Sequence, residues 1–486
     1  MTTVRGLLRD IAIVSGGQAI TWVATFVFVL AQARFLGPVR FGELSLGLSY
    51  AAFFAIVVDF GVATHVTRAV AQARSDDRTI LWSALTARAG LWLIVMPIAY
   101  VLTVVLGYDD ELQATILVLT DSLLFVGLAG ALNAYYQGRE RFALPAIANA
   151  VQRVAAAVVG IVLLLAGFGV VAVAAVYAVS GAVAVALLVI GLRGTGLAAP
   201  RFDPRAVRGL LRAALPIGLY WVVGTFYFNV DMALIERLTP RESLGQYAAA
   251  YRLFSAASII PAIVCGTVLY PLFARLTGAS ISALRPAVEK TIAYLALIGV
   301  LVSVVFASLA MPITGLLYPL PAYEPAASAL RLLAPGLLFL YVNSVIGSAL
   351  FALHMEKRLL VIAALAAILN TTANLLTIPV FGIEAAAAIT SLTELFLLCC
   401  LVLAAPPGLV GSASGFVLAR AALVGGLTAV ALLPLGPAPI AVSAPIAALV
   451  FGVGCLLFQA FPADDLRLAG AHVRERIGAL RSPRTS

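Results

Sequence analysis

The stretch "RFLGPVRFGELSLGLSY", residues 34–50, breaks an apolar run with two arginines, a Gly-Pro pair and a glutamate. The passage "RLTPRESLGQYAAAYRL", residues 237–253, uses the same design 203 residues later. Arg34 aligns with Arg237 and Gly42 with Gly245 without gaps, Phe41 matches Leu244, and Glu43 matches the shape of Gln246. Two further echoes keep the same order: Phe168-Gly169 with Phe381-Gly382, and "GRERF" (138–142) with "HMEKRL" (354–359). A polar break between two long apolar runs reads as a turn between two membrane helices, used once in each half of the chain.

The surrounding composition supports that reading. The chain is 63% hydrophobic and 11% charged, with a mean hydropathy of +1.07, outside the range of soluble globular proteins. Its apolar runs are mostly 22–30 residues long, and a helix needs about 20 to cross a bilayer. Only helices and closed barrels satisfy their backbone in lipid. No strict alternation is present, so the expected fold is an all-α polytopic membrane protein. Fourteen spans are expected near residues 10–34, 41–63, 79–105, 112–137, 143–166, 169–192, 211–236, 244–273, 288–317, 327–353, 359–380, 384–405, 412–434 and 437–461. The first exceeds a secretory h-region of roughly 7–15 residues and reads as a retained span.

The 31 Lys and Arg residues distribute unevenly over the loops of this topology. One side holds 22, the other holds only Arg34, Arg40, Arg237 and Arg241, and Arg88, Arg153, Arg252, Arg331 and Arg420 fall within spans. Short cytoplasmic loops are rich in Lys and Arg, so both termini are expected in the cytoplasm, with the chain in the cytoplasmic membrane. The opposite loops are short, and "GYDDE" (107–111) is acidic. The net charge of +9 therefore reports membrane orientation, and no nucleic-acid partner is expected. The tail sets Leu466, Val473, Ile477 and Leu480 among arginines, as an interfacial helix or a disordered basic tail.

Six spans return the chain to its starting side, so the two halves should enter the membrane alike, with a pseudo-twofold axis along its normal. The expected organisation is a six-helix bundle over 1–205, a second over 206–405, a helix pair over 406–461 and a cytoplasmic basic tail over 462–486.

Catalytic chemistry has no foothold in this sequence. Only Lys290 and Lys357 are present, neither in a phosphate loop, and His65, His354 and His472 are isolated. Cys265, Cys399, Cys400 and Cys455 lie in apolar runs and read as small hydrophobes. A non-enzyme without metal or cofactor is expected.

Embedded charges carry the functional signal, because each costs at least about 2.5–3.5 kcal/mol at the bilayer centre. Arg88, Arg153, Arg252 and Arg420 are the candidates for lining a cavity, whereas Arg331 sits close enough to its span end to snorkel. Asp59, Asp121, Asp231 and Glu394 are candidates for binding a coupling ion, or for pairing with those arginines or with helix N-termini. Asp231 is the favoured acid, within reach of Arg252. Asn149, Asn370 and Asn374, with Asn133, Gln152, Asn229 and Asn343, either bind sugar hydroxyls or join helices. Pro97, Pro145, Pro216, Pro261, Pro312, Pro335 and Pro379 are candidate kinks.

These residues together resemble the polysaccharide-export branch of the multidrug/oligosaccharidyl-lipid/polysaccharide exporter superfamily, which includes O-antigen (Wzx-type) flippases. The resemblance rests on Leu36-Gly37-Pro38 with Phe41-Gly42, Asp59-Phe60-Gly61, Asp231 before Gly245-Gln246-Tyr247, and Tyr251-Arg252. Pro271-Leu272-Phe273, Asn370, Asn374, Pro379 and Phe381-Gly382-Ile383 extend it over nearly the whole chain. Thr239-Pro240 replaces the expected second Gly-Pro, and Ala385 stands where a glycine often follows. The resemblance implies a V-shaped pair of bundles around a cavity that opens alternately to each side. It also implies a lipid-linked oligosaccharide cargo, commonly on undecaprenyl pyrophosphate. The remaining partners would be membrane lipids and other polysaccharide assembly proteins. The competing readings are a cation-coupled multidrug antiporter and a non-transporting membrane subunit of a polysaccharide assembly complex.

Overall fold

In the computed structural model, Gly37 adopts φ 70° and ψ 174° inside α1 (Val4–Asp59). That backbone region is open essentially to glycine alone, and Pro38 then restarts the helix. The structure describes residues 4–72, 76–193, 203–277, 281–433 and 439–460, so the tail expectation lies outside the described residues. The elements after α1 are α2 (Val62–Ala71), α3 (Asp77–Val105), α4 (Asp110–Gly138), α5 (Ala143–Leu165), α6 (Val170–Ile190) and α7 (Pro204–Leu238). Then come α8 (Arg241–Ile263), a π-helical segment (Val264–Leu269), α9 (Tyr270–Thr277), α10 (Ile281–Ser308) and α11 (Ala310–Leu317). The chain ends its described part with α12 (Glu324–Ala352), α13 (Glu356–Ala404), α14 (Ser412–Leu432) and α15 (Ile440–Leu457). No strand occurs among the described residues.

Among the described residues, eleven helical segments are long and apolar enough to cross a membrane. Two of them, Ile13–Ala71 and Glu356–Ala404, each contain a break at a glycine and hold a pair of expected spans. With α7, the fourteen expected spans all coincide with helix. The protein is an all-α, multi-pass membrane protein.

The chain forms two compact units, residues 1–248 and 249–486. In the first, Gly47 lies against Thr115 and Leu119, and Gly127 lies against Val58, so the second half of α1 runs parallel to α4. Gly17 lies against Ala146 and Gly160 against Phe28, so the first half runs parallel to α5. Helices α4 and α5 are antiparallel, since Asn133 meets Asn149 across their short link. Gly37-Pro38 therefore reverses the chain, as the opening stretch requires. Helix α7 packs on α1, α2 and α3. Asp76, Asp109 and Asp203 cap α3, α4 and α7 through backbone N–H groups.

The second unit repeats the device at Gly382, φ 59° and ψ −141°. Asn370 donates to Thr393 Oγ1 (3.3 Å) and Arg358 to the Ala404 carbonyl (3.1 Å), so α13 folds back on itself around that glycine. Helices α14 and α15 pack on α10 through Ala421, Val424, Phe451 and Cys455. The "GRERF" and "HMEKRL" turns also match in backbone, with Glu140 at φ 56° and His354 at φ 58°.

Helices α3, α12 and α13 continue through Pro97, Pro335 and Pro379. Neighbouring hydroxyls take up backbone groups near two of the prolines. Ser391 Oγ accepts from Gly336 N (3.0 Å) and donates to the Leu332 carbonyl (2.6 Å), bridging the ladder beside Pro335. Tyr341 donates to the Ala257 carbonyl (2.8 Å), the acceptor that Pro261 leaves vacant four residues on. Three residues after Pro261 the helix widens into its π segment.

Candidate functional site

Helix α5 has two exposed sides of opposite character. Ile147, Val151, Val154, Val158, Val162 and Leu165 recur at steps of three and four residues and are all exposed, as on a lipid-facing surface. Asn149 and Arg153 lie one turn apart on the other side, together with Ala146 and Gly160. A Cβ on Gly17 would come 3.3 Å from the Ala146 carbonyl, and the Phe28 ring fills the space beside Gly160. Arg153 is therefore on the side of α5 that faces α1. There α1 exposes Ser15, Gln18, Trp22 and Thr25 at helical spacing.

A cavity of about 190 Å³ opens between α1, α4 and α5, lined by Gln18, Thr21, Gln137, Phe142, Pro145 and Asn149 among others. Asn133 donates to Asn149 Oδ1 (3.5 Å), while its own Oδ1 is buried without a partner among the described residues. Arg153 is exposed and makes no ion pair or hydrogen bond among them. Arg153 lies one helical turn beyond Asn149, which lines the cavity, and a free guanidinium there can hold an anion whose hydroxyl-rich group reaches the amides and hydroxyls of the cavity.

The other expected site residues take different positions. Arg88 is 3% exposed; its guanidinium pairs with Asp59 and donates to the Gly127 carbonyl (2.6 Å). Gly130 leaves the room that the guanidinium occupies. Asp59 also accepts from Ala63 N (3.4 Å) at the start of α2. Asp231 is buried and accepts from Tyr247 (3.2 Å). Asp121 is exposed midway along α4, about 120° round the helix from Asn133.

In the second unit, Asn374 donates to Asn370 (3.0 Å), both buried within the α13 hairpin. Asn343 donates to the Glu394 carboxylate and carbonyl (2.9 Å each). Arg420 is exposed and donates to the Gln459 carbonyl (3.0 Å), holding the end of α15. Arg252 is half-buried. It acts on the Tyr318 hydroxyl, which burial pushes up to about 12 against its pull.

A second constellation in the first unit joins the two repeated stretches themselves. A Cβ on Gly42 would lie 2.7 Å from Gly245 N, and one on Gly245 would overlap the Pro38 carbonyl. The hairpins thus meet backbone to backbone at the two glycines that align in sequence. Around them Arg241 pairs with Asp109 (2.8 Å), Arg40 with Glu111 (3.5 Å) and Arg237 with Glu236 (3.6 Å). Arg237 also donates to the Leu106 carbonyl and lies 5.2 Å from the centre of the Tyr108 ring. Glu43 is buried at the centre of this group.

Sequence reasoning passed over Glu43, Glu236, Gln18, Thr21 and Gln137. The polar residues of α1 recur at helical spacing within an apolar run, which is a readable signal. Glu43 and Glu236 had none beyond their place beside the repeated turns.

The family described as polysaccharide biosynthesis protein matches residues 7–277. The succinoglycan biosynthesis transport protein ExoT of Rhizobium meliloti (strain 1021) is 25% identical over 264 residues, 53% of this chain and 51% of that protein. The chain thus spans about half the length of this curated relative. Among solved structures, a lipid II flippase MurJ in an inward closed conformation matches with a TM-score of 0.76 at 14% identity, over 92% of this chain and 98% of that one. An inward-facing multidrug resistance MATE family transporter of the MOP superfamily matches with a TM-score of 0.58 at 15% identity, over 87% and 96%. At these identities the shared property is the fold.

Proposed function

The chain belongs to the polysaccharide biosynthesis protein family, and from that membership we propose that it is a flippase. Its cargo is an oligosaccharide linked to a polyprenyl pyrophosphate, carried across the cytoplasmic membrane by alternating access. Both termini are cytoplasmic in this reading, and the bundles over 1–205 and 206–405 move against one another. The observation that carries it is Arg153: an exposed, unpaired guanidinium on the α1 side of a helix whose opposite side is a valine stripe. A cation held that way in a span needs water or an anion. The neighbouring amides of Gln18, Gln137 and Asn149 suit sugar hydroxyls.

Arg252 is the second candidate contact for the pyrophosphate. Arg88, Arg420, Asn370 and Asn374 serve to hold helices together in this reading, because each hydrogen-bonds to another part of the protein. The lipid tail needs an apolar surface. An open groove of about 250 Å³ in the second unit, lined by Val300, Val304, Leu338, Phe339, Gly425 and Ala429 among others, offers one.

The test is Arg153→Ala and Arg153→Lys in cells, scored as outer-leaflet glycan at matched protein level. Arg153→Ala should lower export at least about tenfold, equivalent to the roughly 1.5–3 kcal/mol of a charge-assisted hydrogen bond. Arg153→Lys should retain part of it. Full export by Arg153→Ala ends this reading.

A further inference from the structure

The hairpin junction contains one acid too many for its arginines. Arg40, Arg237 and Arg241 are each paired, to Glu111, Glu236 and Asp109. Glu43 remains. It is 8% exposed, and its Oε2 is buried with no hydrogen-bond partner among the described residues. The charged groups that act on it come from every packed element: Arg40 from its own helix, Asp109 and Glu111 from the start of α4, and Arg241 from α8. Glu236 of α7 shares with it a cavity of about 60 Å³, which holds a few waters at most. No three acids, histidines or cysteines among the described residues converge as metal ligands would. A single proton is the cation that this geometry can take.

We propose that Glu43 is a proton-binding site that controls whether the Gly42–Gly245 junction is shut. A carboxylate without a counter-ion, packed among three other acids, is unfavourable in a closed junction. The neutral acid fits there, and Oε2 then needs one donor or acceptor that the enclosed water supplies. Ionised, Glu43 must reach water, which requires the two glycine-paired hairpins to separate. Binding is Glu43 carboxylate plus proton giving the carboxylic acid, with no other reactant.

This inference takes from the proposed function only the sidedness, in which the junction lies at the outer end. Protonation from outside then closes the emptied carrier, and the proton returns to the same side when the junction reopens.

The experiment measures the junction directly, without cargo. Nitroxide labels are placed at Phe35→Cys and Glu242→Cys, both exposed in the first unit, in the full chain with its four native cysteines replaced. The protein is reconstituted in phosphatidylethanolamine–phosphatidylglycerol vesicles, and pulsed-dipolar distances are recorded from pH 5 to pH 8.5. The short-distance population should fall at least about twofold as pH rises. Glu43→Gln, a neutral isostere, should keep the short distance at every pH. A distance distribution independent of pH in the unsubstituted junction overturns the proposal, whether or not the variant folds. So does a Glu43→Gln protein that follows the same pH response, since another group would then be titrating. Neither result bears on Arg153, so the transport reading fails or survives separately.

Discussion

Arg88 in α3 and Arg153 in α5 are the same residue type at similar depth in their spans, yet the structure gives them opposite surroundings. Arg88 is buried against Asp59 and the Gly127 carbonyl, whereas Arg153 has no partner among the described residues. Removing the Arg88 side chain leaves Asp59 partly exposed to solvent but strips the Gly127 carbonyl of its donor, at about 1–3 kcal/mol for an unsatisfied buried group, and empties the space the guanidinium filled. Arg88→Ala should therefore lower the thermal unfolding temperature of the purified protein and its yield, while Arg153→Ala leaves both unchanged. Equal stabilities would contradict the assignment. The contrast was half legible in the sequence. The valine stripe that turns Arg153 inward is periodic and can be read directly. The pocket for Arg88 depends on Gly127 and Gly130 of another helix, and no local pattern links them to it.

At the scale of elements, the two hairpins depend on single glycines. Gly37 and Gly382 both have positive φ with ψ near the extended limit, a combination in which side chains are strained by about 1–3 kcal/mol. Gly37→Ala and Gly382→Ala should each destabilise the protein by that amount in thermal or denaturant unfolding. Gly16→Ala, with open space around it, serves as the neutral comparison. If the three variants unfold alike, the turns are not where the strain lies. Helix positions were fully legible because hydropathy and turn residues act over one segment. The effects of the prolines were not. Whether Pro261 or Pro335 bends its helix depends on whether a distant hydroxyl, Tyr341 or Ser391, arrives to satisfy the disturbed backbone. The junction at Gly42 and Gly245 was visible as an alignment but not as a contact, since a repeat says that two segments are alike and not that they touch.

For the whole molecule, the direction of transport and the side that supplies the Glu43 proton both rest on which side the arginines face. The described ends carry that bias: Arg68 in α2, and Arg139, Arg141 and Arg193 after α4 and α6, lie on one side, while Asp109, Asp110 and Glu111 lie at the start of α4 on the other. Arg40 and Arg241, cations of the sparse side, are paired with Glu111 and Asp109, which reduces their weight as retention signals further. In intact cells expressing a chain with its native cysteines replaced, Asp110→Cys should react with an impermeant maleimide, and Arg141→Cys should react only after permeabilisation. Both positions are exposed, so access and not burial decides the outcome. The reverse pattern would invert the protein. The Glu43 junction would then face the cytoplasm, its proton would come from inside, and protonation would shut the entry side against cargo instead of resetting the carrier to receive it.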